Sequence, residues 1–288
     1  MILQRRQFLF GCAATITSAG EASNQALTAT VTALEHSLGG RIGLAVLNTA
    51  DGRRLSHRPD ERFAMCSTFK LMLAAAVLSR VDTRTLQLEQ PVSFTRSDLL
   101  PTSPLADSYP DGGTVPLKLM LQSVIEASDN TAANRLLALI GGPAGYTAYL
   151  RSIGDSTTRL DRVELDLNSN LPGDSRDTTT PNAMLLDMHR VLLADHLTPG
   201  SRSQLLQWMH GCKTGSDRLR GRLPPGWDAG DKTGTGGRGA VNDLAIFWPP
   251  KSRPPILVAC YMSGSARSTT ALSAAQAQIG AAILDVWA

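Results

Sequence analysis

The sequence predicts an α/β protein with a mostly antiparallel sheet, flanked by helices from both chain termini, and an inserted all-α lobe. Strand-like apolar segments lie near both ends of the chain, whereas the long middle has mainly helical patterns. Hydrophobic residues make up 42% of the 288 residues, so the chain can bury a sizeable core. We therefore expect a sheet lobe formed by residues 23–60 and 212–288 and an all-α lobe formed by residues 61–211.

The first part of the expected sheet lobe contains a helix followed by a hairpin. Apolar residues recur at helical spacing from position 27 to position 38, and Gly39-Gly40 ends this helix. Residues 42–47 favour a strand, Asp51-Gly52 favours a turn, and residues 53–57 favour the return strand.

The middle of the chain is mostly helical in its patterning. Residues 72–78 are apolar on every side, which predicts a buried helix. Residues 115–139 favour one or two further helices. Thr180-Pro181 and Thr198-Pro199 each pair an N-cap residue with a proline at the first helical position, and the first pair begins a helix that reaches about Ala194.

The C-terminal part returns to strands. Residues 239–248 and 255–262 are strand-like and are separated by Pro249-Pro250, and residues 272–286 are helical again. Because strands occur near both ends of the chain, we expect them to share one sheet, with the helical middle inserted between them.

The first 22 residues resemble an export signal. Arg5-Arg6 supplies positive charge, residues 8–16 form a short apolar stretch, and residues 18–20 are small enough for a cleavage site. The run from Arg5 to Leu9 resembles a twin-arginine signal, so we expect a periplasmic protein. The alternatives are a frayed N-terminal helix and a lipoprotein signal ending at Cys12, for which the apolar stretch is too short.

Composition excludes several classes of protein. The net charge of +3 is small and the basic residues are scattered, which disfavours nucleic-acid binding. No apolar run reaches the roughly 18 residues of a membrane span, so we expect no stable membrane insertion. The cysteines lack zinc-ligand spacing, and we expect no metal and no cofactor. Three cysteines follow Cys12, so at least one thiol stays free or pairs between chains. No pattern indicates an obligate dimer, and we expect a monomer.

Ser67 and Lys70 are the first candidates for catalysis. They lie three residues apart at the start of the buried helix, so their side chains share one helix face. Helix N-termini offer free N–H groups that stabilise negative charge, and acyl transfer needs a hydroxyl, a nearby amine and such donors. The spacing alone also fits an N-cap serine with an exposed lysine. However, nine uncharged residues follow Lys70, and a lysine in a buried helix needs a partner.

Two later triplets are candidates only in combination with this pair. Ser128-Asp129-Asn130 lies between helical stretches and by itself fits a capped turn. Lys232-Thr233-Gly234 lies near the expected end of a strand, and the glycines that follow would allow a ligand to approach the backbone. A second triplet of the same composition, Lys213-Thr214-Gly215, follows a helix and precedes no strand, so we interpret it as a helix-ending loop.

Together the three motifs resemble those of class A serine β-lactamases and penicillin-binding proteins. The resemblance runs from about residue 23 to the C-terminus. A fourth element resembles class A β-lactamases in particular, because Glu164 to Asn168 matches the E-x-x-L-N loop of that class. The resemblance implies an Ω-loop over residues 162–177, with Arg162 and Asp177 clamping its ends.

The resemblance also implies the fold of serine β-lactamases and D-alanyl-D-alanine peptidases, and hydrolysis of β-lactam antibiotics. Ser67 would attack the ring carbonyl, Glu164 through a water or Lys70 directly would take its proton, and Ser128 would protonate the leaving nitrogen. Glu164 would then activate the hydrolytic water. The residues implied in binding the substrate or this water are Asn130, Asn168, Lys232, Thr233, Gly234, Thr235 and Arg218.

Three positions depart from the pattern of the class. Val241 occupies a position where many members have an arginine for the substrate carboxylate, whereas other members supply this group from just before the strand of the third motif, where Arg218 lies. We therefore assign the carboxylate contact to Lys232, Thr233, Thr235 and Arg218, with Arg220 and Arg222 as competitors of Arg218. Cys66 matches a cysteine of carbapenem-hydrolysing members, but the residue that would pair with it here is Gly236. A wall residue that is often aromatic is Thr102, which leaves the mouth of the site more open.

Two other functions remain open on the sequence. One is a D-alanyl-D-alanine peptidase or penicillin-binding protein, which typically lacks the carboxylate of Glu164. The other is a non-catalytic β-lactam sensor, which would need a membrane tether or a partner domain, and neither is evident in the sequence.

Overall fold

The computed structural model describes the backbone of residues 12–287 and the side chains of residues 25–287. Residues 1–11 of the expected export signal lie outside the described residues. The helices are α1 Cys12–Leu38, α2 Phe69–Asp82, α3 Leu117–Glu126, α4 Asn130–Ile140, α5 Gly142–Ser152, α6 Pro181–Leu192, α7 Pro199–His210 and α8 Thr269–Trp287. The strands are β1 Arg41–Asn48, β2 Arg54–His57, β3 Phe63–Ala64, β4 Pro91–Thr95, β5 Gly112–Pro116, β6 Thr178–Thr179, β7 Asp228–Thr235, β8 Val241–Trp248 and β9 Ile256–Ser263.

The main sheet has five strands in the order β2-β1-β9-β8-β7, and every neighbouring pair is antiparallel. The strands therefore come from both ends of the chain, with α2 to α7 between them in sequence. This confirms the predicted α/β fold class. The lobe boundaries themselves stay predictions.

Both faces of the sheet are covered. On β1, Leu44 and Val46 lie in a core shared with α1 and α8, whereas Ala45 and Leu47 lie in the core that extends into the helices α2 to α7. Side chains alternate between the two faces of a strand, so a strand that is buried on both faces has a nearly continuous apolar sequence. This explains the unbroken apolar run that predicted the strand at residues 42–47.

Helix α2 lies at the centre of the helical region, as its sequence predicted. The ten residues from Phe69 to Leu78 are all buried, and the helix contacts α3, α4, α5, α6 and α7. Its N-terminus follows a 3₁₀ turn over Cys66–Thr68. This packing holds Ser67 and Lys70 in fixed positions, because a helix surrounded on all sides cannot shift without breaking the core.

The predicted N-caps are present. The Thr180 hydroxyl accepts a hydrogen bond from the N–H of Ala183 at 3.2 Å, and the Thr198 hydroxyl accepts one from Ser201 at 3.3 Å. The first of these helices ends at Leu192, slightly before the expected end at Ala194.

No helix among the described residues is both long and apolar enough to cross a membrane.

Candidate active site

The structure brings the sequence-predicted site residues together around a pocket of about 400 Å³. They come from the start of α2, the turn before α4, the loop at residues 162–177 and the end of β7. The candidates that line the pocket are Ser67, Ser128, Asn130, Asn168, Thr233, Gly234, Thr235 and Arg218. Lys70, Glu164 and Lys232 are buried and bond to these residues.

Lys70 is the centre of a buried hydrogen-bond network. Its Nζ lies 3.0 Å from Ser67 Oγ, 2.6 Å from Asn130 Oδ1 and 2.9 Å from Glu164 Oε1. It also donates to the carbonyl oxygen of Ser128 at 2.8 Å. Burial lowers the pKa of the Lys70 ammonium, while the neighbouring Glu164 carboxylate opposes this effect. A lysine with a lowered pKa can give up its proton more readily and so act as a base.

Glu164 contacts both Ser67 and Lys70. Its Oε1 accepts a hydrogen bond from Ser67 Oγ at 3.3 Å as well as the ion pair from Lys70, and its Oε2 accepts one from Asn168 Nδ2 at 2.6 Å. The remaining side-chain oxygen of Asn168, Oδ1, is buried and has no hydrogen-bond partner among the described residues. The pair therefore presents a carboxylate and an amide oxygen next to the serine.

Asn134 holds the backbone of Glu164, and sequence reasoning missed this residue. The Asn134 side chain accepts a hydrogen bond from the Glu164 N–H and donates one to the Glu164 carbonyl oxygen, both at 2.9 Å. Asn134 lies on α4, four residues after Asn130 and therefore on the same helix face. That spacing is the one sequence signal that could have indicated it.

The predicted clamp of the loop at residues 162–177 is present. Arg162 Nε lies 2.6 Å from Asp177 Oδ2, and Asp177 Oδ1 accepts hydrogen bonds from the N–H groups of Asp161 and Arg162 at 2.8 and 2.9 Å. The loop also contacts the end of β7, because the N–H of Gly237 donates to the carbonyl oxygen of Asn168 at 2.9 Å. These contacts fix the loop at both ends and beside the pocket.

Ser128 lies between the two buried lysines. Its Oγ is 3.4 Å from Lys70 Nζ and 3.1 Å from Lys232 Nζ. The turn that holds it depends on Asp129, whose carboxylate caps α4 by accepting the N–H of Ala132 at 2.8 Å. A hydroxyl between two amines can pass a proton from one to a third group.

Lys232 supplies positive charge from behind the residues that line the pocket, where it contacts Ser128 and Thr233. Its Nζ also donates to the carbonyl oxygen of Thr233 at 2.9 Å, and its side chain is fully buried. Burial lowers the pKa of Lys232 to about 8, and the nearby positive charge of Lys70 acts in the same direction.

Of the three competing arginines, Arg218 lines the pocket. It donates to the carbonyl oxygens of Gly234 and Asn242 at 2.9 and 2.8 Å and to Thr235 Oγ1 at 2.6 Å. Arg220 is instead paired with the buried Asp231, with 3.0 Å between Arg220 Nε and Asp231 Oδ2. Arg222 is exposed and does not line the pocket.

The described cysteines, Cys66, Cys212 and Cys260, are all free and buried. A Cβ at Gly236 would lie only 2.6 Å from Cys66 Sγ, so the two positions are adjacent, as the resemblance implied, but the glycine leaves Cys66 unpaired. Among the residues with described side chains, no group of three or more His, Cys, Asp or Glu residues is placed to hold a metal ion.

The second triplet, Lys213-Thr214-Gly215, lies closer to the site than its sequence indicated. It forms a loop after α7, as expected, and the Lys213 side chain is 73% exposed and 4.0 Å from Glu126. Thr214, however, lines the pocket, with its Oγ1 2.5 Å from Thr233 Oγ1. The triplet is therefore the expected helix-ending loop, but its position beside the pocket was not expected, since only packing against β7 brings Thr214 there.

Comparison with protein families gives a match over nearly the whole chain. A model described as the β-lactamase enzyme family matches residues 26–287. The chain is similar to β-lactamase CTX-M-97 of Escherichia coli, with 47% identity over 226 residues that cover 78% of this chain and 77% of that protein. It is also similar to β-lactamase L2 of Stenotrophomonas maltophilia, with 42% identity over 274 residues that cover 94% and 90% of the two chains.

The fold is similar to a solved class A β-lactamase that represents the last common ancestor of Gram-negative bacteria. The TM-score is 0.89 at 48% sequence identity, and the match covers 91% of this chain and 100% of that chain. With 48% sequence identity over 91% of this chain, the two proteins are similar in sequence as well as in fold.

Proposed function

Since the chain belongs to the β-lactamase enzyme family and is a class A serine β-lactamase, we propose that it hydrolyses β-lactams through an acyl-enzyme on Ser67. The observation that carries this proposal is the position of Ser67 Oγ, which lies 3.0 Å from Lys70 Nζ and 3.3 Å from Glu164 Oε1. A serine hydroxyl is a weak nucleophile at its own pKa and needs an adjacent base. Two candidate bases are in contact with it here.

In the acylation step, Ser67 Oγ attacks the lactam carbonyl carbon and its proton passes to the Lys70 amine, or to Glu164 through a water. Backbone N–H groups of Ser67 and Thr235 would stabilise the oxyanion. The C–N bond of the ring then breaks, and the nitrogen takes a proton from Ser128. Ser128 can be reprotonated by either lysine, because its hydroxyl contacts both.

In the deacylation step, Glu164 takes a proton from a water that attacks the acyl carbon. The bond to Ser67 Oγ then breaks, and this proton returns to the serine oxygen from Glu164, directly or through Lys70, which regenerates the free enzyme. Asn168 donates to Glu164 Oε2 and keeps its buried Oδ1 available to accept a hydrogen bond from that water. Buried polar atoms normally have a partner, so the water would satisfy an otherwise unpaired oxygen.

The substrate carboxylate would bind at the end of β7. Lys232 and Arg218 provide positive charge, and Thr233 and Thr235 provide hydroxyl donors. Gly234 also lines the pocket, and its missing Cβ lets β7 pack on the turn that carries Ser67, because a Cβ there would lie 2.8 Å from the carbonyl oxygen of Met65. Asn130 also lines the pocket and would contact the substrate there.

A comparison of the two lysine-threonine-glycine triplets tests this assignment. Lys232→Ala is expected to lower kcat/KM about ten- to a hundredfold, because a charge-assisted hydrogen bond contributes about 1.5–3 kcal/mol. Lys213→Ala is the matched control and should leave turnover nearly unchanged, since its side chain is 73% exposed. Steady-state kinetics on a penicillin give both values. A larger loss in a folded Lys213→Ala variant would refute the choice of triplet.

The pKa of Lys232 predicts how activity depends on pH. Since that pKa is lowered to about 8, the cationic form is lost as the pH rises through about 8, and kcat/KM for an anionic substrate should fall there. Lys232→Arg retains the charge at alkaline pH and should move this decline upward. This variant distinguishes the titration of Lys232 from that of Lys70, because it replaces only the first of the two lysines. A wild-type profile that is flat to pH 9.5 would contradict the prediction.

The lifetime of the acyl-enzyme tests the hydrolase mechanism against a D-alanyl-D-alanine peptidase mechanism. The two mechanisms share the roles of Ser67, Lys70, Ser128 and Lys232, but a peptidase typically lacks the carboxylate of Glu164, so its penicilloyl-enzyme persists. We expect mass spectrometry after mixing with a penicillin to show product release with no adduct that persists for minutes. A long-lived penicilloyl adduct on wild-type Ser67 would favour the peptidase.

We propose that residues 1–22 are an export signal with a twin-arginine pattern. We also propose that the mature protein is a periplasmic monomer. The family match begins at residue 26, after this segment. N-terminal sequencing of the protein recovered from the periplasm tests both the export and the cleavage position.

A further inference from the structure

We propose that Thr214 is a positioning residue for the substrate carboxylate: its hydroxyl donates to Thr233 Oγ1 and thereby directs the Thr233 proton into the pocket. The inference rests on the proposed function, in which Thr233 binds that carboxylate. It gives a role to one residue of the Lys213-Thr214-Gly215 triplet.

The contacts of Thr214 define this role. Thr214 Oγ1 lies 2.5 Å from Thr233 Oγ1 and 3.3 Å from Cys212 Sγ, and both threonines line the same pocket. The three groups therefore form a short chain that runs from the buried thiol to the pocket wall.

The number of protons available to these three groups decides which of them donates each hydrogen bond. A hydroxyl has one proton to donate, so Thr233 can give its proton either to Thr214 or to a ligand. Burial, with the Asp231 carboxylate nearby, raises the pKa of the Cys212 thiol to about 11, so the thiol keeps its proton, for which Thr214 Oγ1 and Asp231 both compete as acceptors. A protonated thiol sulfur is itself only a weak acceptor, so Thr233 Oγ1 is the better acceptor for the Thr214 proton. Thr214 then donates to Thr233, and the Thr233 proton is left for the pocket.

The charge of the ligand favours the same direction. A carboxylate can only accept hydrogen bonds, so it binds best to a Thr233 hydroxyl that does not donate elsewhere. A chain of hydrogen bonds that all point one way also strengthens its last member through polarisation.

Gly215 explains why the loop can lie this close to β7. A Cβ at position 215 would lie 1.7 Å from Asp231 Oδ2, a distance that no side chain can adopt. Asp231 is itself held by Arg220, with a 3.0 Å contact. The glycine therefore lets the backbone pack on the buried carboxylate, and this packing places Thr214 opposite Thr233.

The experiment compares two substrates on matched variants. The probes are a chromogenic cephalosporin with a free carboxylate and the methyl ester of the same compound. Thr214→Val removes the hydroxyl at nearly constant volume and is expected to raise KM for the acid about 3–10-fold, the effect of one hydrogen bond, with kcat little changed. For the ester, KM should change less than about twofold, and Thr214→Ser should restore the wild-type values.

A double-variant comparison separates positioning from a purely structural role. In a Thr233→Val background, Thr214→Val should add nothing to the KM for the acid, because the two hydroxyls act as one unit. Should Thr214→Val fold poorly, Thr214→Ala removes the same hydroxyl and has the same expected outcome. Lys213→Ala is the neighbouring control.

Each other outcome overturns the proposal. Equal losses for acid and ester would mean that Thr214 is only structural, and a lower KM for the acid would mean that the hydrogen bond runs from Thr233 to Thr214. If the wild type itself fails to distinguish acid from ester, the carboxylate subsite of the proposed function is wrong, and this inference falls with it.

Discussion

Ser67→Ala is expected to abolish both the hydrolysis of β-lactams and covalent labelling by a penicillin. Loss of a catalytic serine lowers kcat on the order of 10⁶-fold in a well-studied serine hydrolase, and a similar loss is expected here. The reason is that the acyl group is bonded to the serine oxygen, so no positioning residue can replace it. Mass spectrometry after incubation with a penicillin, together with initial rates, measures both losses.

Ser128 is the alternative nucleophile that this experiment has to exclude. Its Oγ is 3.4 Å from Lys70 Nζ, against 3.0 Å for Ser67 Oγ. Only Ser67, however, also contacts Glu164. Ser128→Ala should therefore still form an adduct on Ser67, although more slowly. A penicilloyl group mapped to Ser128 in the Ser67→Ala variant would exchange the roles of the two serines.

The fold was predictable from the sequence where burial and local geometry agree. The strand at residues 42–47 and the helix that contains residues 72–78 are covered on all sides, so their apolar runs are unbroken. The N-caps at Thr180 and Thr198 follow from local hydrogen bonds that require no tertiary information.

Other elements depend on packing that the sequence does not encode locally. Helix α5, over Gly142–Ser152, was missed because only Tyr146 and Leu150 of its residues are buried and two of its positions are glycine. The β4–β5 hairpin and the two-residue pair β3–β6 were missed for a related reason. β3 and β6 have only two residues each, and β5 begins with two glycines, so none of them shows a period. β4 does alternate, but over only five residues.

In the candidate site too, some residues were predictable from the sequence and others required the structure. Ser67, Lys70 and Glu164 could be named from motif spacing, and the structure places them in mutual contact. Asn134 and Thr214 were not named, because neither belongs to one of the motifs, and for Asn134 the four-residue spacing from Asn130 was the only signal. The choice among three nearby arginines also required the structure, since a shift of two residues decides whether a side chain reaches the pocket or the buried Asp231.

Glu164→Ala is expected to separate the two chemical steps. Only deacylation has to recruit a water, and Asn168 can orient that water but cannot accept its proton. Removing the carboxylate should therefore slow deacylation by about 10²–10⁴-fold, the usual contribution of a positioned general base.

Acylation should survive the same change. The Glu164 carboxylate raises the pKa of Lys70, so its removal lets burial lower that pKa further and increases the share of neutral amine. The amine remains beside Ser67 Oγ, at 3.0 Å in the wild-type structure, and can take the serine proton. The variant should react with a penicillin once and then stall as an acyl-enzyme on Ser67.

A stopped-flow trace of Glu164→Ala should show a burst of one equivalent of product followed by almost no turnover, and mass spectrometry should place the adduct on Ser67. Glu164→Gln tests whether the lost carboxylate or the lost volume is responsible, and it should stall in the same way. Asp166→Asn is the matched control, because this carboxylate lies exposed in the same loop, and it should turn over at close to the wild-type rate. If Glu164→Ala also turned over at the wild-type rate, Glu164 would be an ordinary loop carboxylate, and the water would need another base, for which Lys70 is the nearest group to Ser67 Oγ.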